Sequence, residues 1–323
     1  MAESLIEPSS PQVIDLPGTI STARAITPTQ LVWVRFRKHR MAMAGGIGII
    51  LLLAFIIIGS IIIPETKANE GDLLARLKAP NAQNLFGTDS NGRDEFARIV
   101  YGGQISLAIG ILAVVLEVTL GSVIGVVSAY YGGWIDAVLM RITESMLSIP
   151  QLFLLIVLGK YLSRDLPTIT ILGRTFSGSV GIVVVVIGFT SWMYLARIVR
   201  ASVLSLRETD FITAAKSVGV KNSRILFRHL LPNTLGPIIV SSTLGLASAI
   251  ITEAYVSFLG LGVQPPTSSW GNMMTQAISF IQLGAWWMWF FPGAFVIYTI
   301  LCINLVGDGL RDALDPRATK HNV

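Results

Sequence analysis

Apolar and polar positions alternate in long blocks along the chain. Six apolar blocks stand out, at about 41–63, 105–130, 138–161, 180–200, 235–259 and 285–306. Each reaches the roughly 20 residues that a helix needs to cross a hydrocarbon core about 30 Å thick. The third block is interrupted. In MRITESMLSIPQLF it carries Glu144 and Pro150, and a proline without a backbone donor predicts a kink or a broken start there. The first block is dominated by Ile and Leu and predicts a lipid-facing helix. The fifth, TLGPIIVSSTLGLASAIITEAYVSF, is rich in Gly, Ala, Ser and Thr. Small residues allow close helix approach and hydroxyls bond across it, so this helix packs inside a bundle or lines a path.

Composition agrees with the blocks. Of 323 residues, 52% are hydrophobic and 13% charged, against about one-quarter charged in globular domains. The mean hydropathy is +0.67. The fold class that follows is an all-α integral membrane protein with six transmembrane helices. Its divisions are a cytoplasmic tail at 1–40, a first transmembrane helix at 41–63 and an extracytoplasmic segment at 64–104. A five-helix core at 105–306 and a cytoplasmic end at 307–323 complete it. The first thirty residues are polar, with prolines at 8, 11, 17 and 28, and read as disordered. They do not read as a secretory signal, because the first apolar block starts late and is too long.

Charge sets the orientation. With both termini inside, the inner segments hold sixteen Lys and Arg and the outer ones eight. That bias is positive-inside. RFRKHR (35–40) before the first block reads as a cytoplasmic anchor, and nothing suggests a nucleic-acid partner.

Candidate chemistry is sparse. One cysteine, Cys302, and three scattered histidines (39, 229, 321) form no metal cluster and no nucleophilic pair. There is no G-x4-G-K-[ST] to cradle a phosphate. The expectation is no catalytic residue, no metal and no cofactor held by this chain. Glu117 and Glu253 are costly at membrane depth and should face protein, headgroups or a solute path. With Ser257 they are the candidate pathway-lining residues.

One basic stretch, TAAKSVGVKNSRILFRHLLPN (213–233), lies between two apolar blocks. Thr209 can cap a first helix running to Val218, with Gly219 at its left-handed C-terminal cap. A second helix starts at Asn222 or Ser223, and Pro232 marks its exit. The first presents Phe211, Ala214, Ala215 and Val218 as a narrow ridge. Two partners suit it: a groove on another protein, or an anionic lipid surface that welcomes the basic flank.

The spacing here resembles the membrane subunits of ATP-binding-cassette importers, whose loop before the penultimate span reads E-A-A-x3-G-x9-I-x-L-P. This chain has Thr213-Ala214-Ala215, Gly219 and His229-Leu230-Leu231-Pro232 at that spacing, with Thr213 for the Glu and His229 for the Ile. RHLLPN resembles the dipeptide/oligopeptide branch. GTDSNGRDEFARIVYGGQISLAIG (87–110), EAYVSFLGLGVQPPTSSWGNMM (253–274) and FPGAF…NLVGDGLRDALDPR (291–317) are similar to its C-type permease. Glu144 stands where that branch more often has Asp.

The resemblance implies a type I importer permease that pairs with a B-type permease. It implies two cytoplasmic ATPase subunits holding ATP and Mg²⁺, and an extracytoplasmic binding protein that delivers peptide. Nickel chelates and oligosaccharides are alternative solutes, and an ATP-independent secondary transporter is the rival class. The loop 207–232 becomes the coupling helix. Ala214, Ala215 and Gly219 are its core, Thr213 takes the Glu position, and Phe211, Val218, Arg224 and Pro232 surround them. ATPase closure would move 209–231 as a rigid lever on the fourth and fifth spans.

Overall fold

The structure, a computed structural model, describes residues 28–162, 169–171 and 174–315. The tail expected to be disordered falls mostly on 1–27, and the last cytoplasmic residues on 316–323, outside the described residues.

A short basic helix α1 (Pro28–Lys38) leads into α2 (Arg40–Ile62). His39 caps α2 by accepting the Ala42 N–H at 3.0 Å. A looped segment follows, holding the single turn α3 (Thr66–Asn69). Helix α4 (Glu95–Tyr131) is the longest, with 37 residues, and Asp94 caps it by accepting the Ala97 N–H at 2.8 Å. It begins at Glu95, so the last stretch of the segment expected outside the membrane at 64–104 is already helix. The cause is charge hidden by pairing: Arg98 is 2% exposed and lies 3.2 Å from Asp89.

Helices α5 (Gly133–Leu147) and α6 (Gln151–Leu162) are bent by 76° around Ser148–Pro150. The break falls at the proline, where a backbone donor is missing. A short antiparallel hairpin, β1 (Ile169–Ile171) with β2 (Arg174–Phe176), is the one strand pair among the described residues. Then come α7 (Ser179–Leu206), α8 (Asp210–Ser217), α9 (Asn222–Arg224), a wide turn Ile225–Leu230 and α10 (Leu231–Asn233). Helices α11 (Leu235–Phe258), α12 (Trp270–Ile278) and α13 (Trp287–Leu314) complete the helices of the described residues. Among the described residues, five helices are long and apolar enough to cross a membrane, and the bent α5–α6 pair makes a sixth crossing if it spans.

The bundle has two distinct ends. At one, Trp287 of α13 donates its indole N–H to the Thr88 carbonyl (3.0 Å), and Trp270 of α12 donates to Ile99 of α4 (3.0 Å). At the other, the start of α2 lies against the end of α13, where Gly309 faces Ala42. Helix α2 buries the stripe Ala42, Gly45, Gly48, Leu52 and Ile56 and leaves most of its other Ile and Leu residues exposed, as a lipid-facing helix does.

Helices α4 and α7 share the most extensive contact among the described helices. A Cβ at Gly125 would stand 2.6 Å from the Ala196 carbonyl oxygen and 2.8 Å from the Val199 Cβ. Gly125→Val is therefore expected to separate the pair and cost about 1–3 kcal/mol, the usual range for overpacking. Thermal unfolding of the purified protein in detergent checks this; an unchanged midpoint would contradict the close approach.

Candidate functional site: the insert between α7 and α11

The insert is two arms joined at Gly219. Thr209 takes the N-cap position of α8, but its hydroxyl donates back to the Leu206 carbonyl (2.5 Å) rather than capping an N–H. The expected side-chain cap is thus absent, because the α7 carbonyl competes for the same hydroxyl. The C-terminus closes as expected. Gly219 has φ +75°, its N–H reaches the Lys216 carbonyl (3.0 Å), and the Val220 N–H reaches that of Ala215 (3.1 Å). These paired bonds form a Schellman motif, which favours a residue without a Cβ at the turn.

The second arm is not one α-helix. Its middle is the wide turn Ile225–Leu230, where the Leu231 N–H reaches five residues back to the Leu226 carbonyl. Pro232 explains the widening, since its ring presses on the carbonyl four residues earlier and it offers no N–H. The arm ends at Asn233, and α11 starts two residues later.

Apolar residues seat both arms on the bundle. Ile212, Ile225, Leu226 and Leu230 are buried in one cluster with Val126 and Ala129 of α4, Leu195 and Val199 of α7, and Ile238 of α11. Ala215 and Val220 pack on its edge. The expected ridge is therefore only partly outward. Phe211, Ala214 and Val218 are exposed, while Ala215 turns inward below them. Val218 is 78% exposed, and Phe227 on the second arm is 54% exposed. Phe227 was not singled out from sequence; its signal is an aromatic on the face opposite Ile225, Leu226 and Leu230. Thr213 is exposed and donates to the Thr209 carbonyl at 3.3 Å, which leaves it a short polar knob. Arg224 and Pro232 are exposed on the second arm.

Polar contacts stiffen the seat. The Tyr130 hydroxyl donates to Asn222 (2.7 Å), and the Lys216 ammonium lies 5.4 Å from the centre of the Tyr130 ring. Arg207 donates to the Ala129 carbonyl (2.8 Å). Beside them Arg200 of α7 makes two 2.6 Å bonds to Asp136 of α5. These contacts tie the insert to the ends of α4 and α7, and α5 to α7 beside it.

The two carboxylates behave differently. Glu253 is fully buried, accepting from Ser106 and Ser257, each at 2.8 Å. Ser106 in turn accepts the Trp270 N–H (3.2 Å), and Ser257 accepts the Val263 N–H (3.0 Å). Glu253 and Ser257 are buried between helices and join α4, α11 and α12. The reason is that the serine hydroxyls satisfy the carboxylate within helix contacts. Glu117 instead lines a polar cavity with Gln151, Thr190, Ser241 and Ser248. Among the described residues no group of His, Cys, Asp or Glu is arranged to hold a metal.

Comparison with known proteins adds a family. A model described as the binding-protein-dependent transport system inner membrane component matches residues 121–320. One described as the N-terminal TM domain of oligopeptide transport permease C matches residues 27–80. The dipeptide transport system permease protein DppC of Alkalihalophilus pseudofirmus is 38% identical over 313 residues, covering 96% of this chain and 95% of that protein. The oligopeptide transport system permease protein OppC of Bacillus subtilis is 38% identical over 287 residues, 89% of each. Among solved structures, the inward-facing MetNI methionine ABC transporter matches with a TM-score of 0.53 at 20% identity, over 68% of this chain and 96% of that one. At that identity the likeness concerns the fold alone.

Proposed function

The chain belongs to the family of binding-protein-dependent transport system inner membrane components, and from that premise we propose that it works as follows. It is the C-type permease subunit of an ATP-driven peptide importer, a multi-pass protein of the inner membrane and not itself an enzyme. Its partners are a B-type permease that supplies the other half of the path, two cytoplasmic ATPase subunits and an extracytoplasmic binding protein. The ATPase subunits hold ATP and Mg²⁺. Both termini and the insert lie in the cytoplasm, a reading supported by the basic residues gathered at one end of the bundle.

One observation carries the coupling role. The insert presents Phe211, Ala214 and Val218 outward while its other face is locked onto α4, α7 and α11. A small residue between two larger apolar ones makes a ridge with a central notch, a shape that fits a protein groove better than a fluid lipid surface. Phe211, Ala214, Val218 and Phe227 meet the ATPase, with Thr213 and Arg224 beside them. Gly219 sets the angle between the arms, Ala215 anchors the first, and Pro232 shapes the second. A push on the ridge moves the insert as one body and tilts α7 and α11.

The test is transport. The chain, purified with its partner permease and ATPase subunits, is placed in liposomes with binding protein and a labelled dipeptide. Accumulation is expected only with ATP on the ATPase side. Uptake driven by an ion gradient without ATP would overturn the reading in favour of a secondary transporter.

A further inference from the structure

Glu117 is a membrane-depth carboxylate that the packing does not use. It sits in α4, is 4% exposed, and neither a hydrogen bond nor an ion pair reaches it among the described residues. An unpaired buried charge is expensive, and groups retained in that state usually serve a ligand. The carboxylate opens onto a cavity of about 230 Å³ between α4, α6, α7 and α11. Gly245 of α11 keeps it uncovered: a Cβ there would lie 2.7 Å from Oε2 and 3.0 Å from Oε1.

The cavity wall is chemically one-sided. No lysine, arginine or histidine lines it. Gln151 donates its amide N–H to Thr190 (2.8 Å), and Thr190 donates onward to the Val186 carbonyl (2.8 Å). That leaves the Gln151 carbonyl oxygen as a further acceptor among the residues that line the cavity with Glu117. Gln151, Thr190 and Tyr194 also line an adjoining apolar chamber of about 190 Å³, whose other walls include Met146, Leu154 and Met193. The chamber sits at the α5–α6 break, where the missing helix turn makes room for it.

We propose that these joined cavities are a binding station for the N-terminal residue of a peptide, with its α-ammonium against Glu117 and its apolar side chain in the chamber beside Met146, Leu154 and Met193. The assignment rests on the peptide-importer reading above and names the part of the solute that this subunit grips. A carboxylate and an amide carbonyl complement an ammonium with three donors, and charge-assisted bonds of this kind are the stronger ones. The adjoining apolar walls would favour peptides that begin with Leu, Ile or Met over those that begin with Asp or Glu.

The probe is leucinamide, which carries an α-ammonium and an apolar side chain. It is compared with 4-methylpentanamide, which has the same shape without the ammonium. Binding is measured by titration calorimetry on the assembled transporter in nanodiscs, without binding protein. Leucinamide is expected to bind the wild type at least tenfold more tightly than 4-methylpentanamide does. Glu117→Gln should remove that preference. Gly245→Val, which fills the space before the carboxylate and keeps its charge, should remove it too. Basal ATP hydrolysis confirms assembly of each variant. Equal leucinamide binding by wild type and either assembled variant overturns the proposal. So does no binding at all, the result expected if a cation of the partner permease already occupies Glu117. Dipeptide uptake by the wild-type transporter with binding protein is measured in parallel. Its absence would indict the importer reading, whereas its presence with indifferent leucinamide binding indicts only this station.

Discussion

Ala214→Trp is expected to uncouple the permease from its ATPase while leaving its fold intact. Ala214 is exposed, and its neighbours on the ridge, Phe211 and Val218, are exposed too. An exposed alanine has little packing to lose, so stability should stay within about 0.5 kcal/mol. The indole would fill the notch and hold the groove of the ATPase away from Phe211 and Val218. Tightly packed hot spots of this kind typically lose more than about 2 kcal/mol when their fit is spoiled, which is over tenfold in affinity. Co-purification of ATPase with tagged permease should fall by at least that factor, and ATP-dependent uptake with it. Ala214→Ser, which keeps the notch, should retain both. Normal assembly and uptake by the Trp variant would mean that the ATPase docks elsewhere.

The hinge on which that argument depends was readable in the sequence. A glycine directly after an apolar helical stretch is a strong signal, because few other residues accept φ near +75° there. Pro150 and the long apolar blocks were legible for similar reasons, since each acts through the backbone or through length alone. The less legible features depend on contacts distant in sequence. Hydropathy treats Arg98 as a residue to keep in water, yet Asp89 neutralises it inside the fold and lets α4 begin ten residues before the expected boundary at 105. Sequence could not say which way Glu253 and Glu117 face. Ser106, 147 positions away, decides the first by offering a hydroxyl. Gly245 leaves the second open. The inward turn of Ala215 follows from Ile212 beside it, which the bundle buries and the ridge pattern passed over.

Asp89→Ala should cause the largest loss of stability in the chain. Asp89 is fully buried in the looped segment between α2 and α4. One oxygen accepts the N–H groups of Asn91 (2.8 Å) and Arg93 (2.9 Å). The other takes the Arg93 side chain at 2.7 Å and lies 3.2 Å from Arg98. Arg93 extends the network to Gln276 of α12 at 3.1 Å. The next residue back, Thr88, holds the Trp287 indole through its carbonyl. A single carboxylate thus organises the loop, the first turn of α4, the end of α12 and the entry to α13. Alanine would leave two guanidinium groups with their main counter-charge gone. Breaking a buried pair in that way costs about 3–5 kcal/mol, several times the worth of an exposed one. The midpoint of thermal unfolding in detergent should drop by many degrees, and protease should cut the loop between α3 and α4 first. Because the damage lies at the end of the bundle opposite the insert, whatever protein remains folded should still bring down its ATPase subunits. A variant as stable as the wild type would show that Glu95, also buried beside Arg98, suffices as counter-charge.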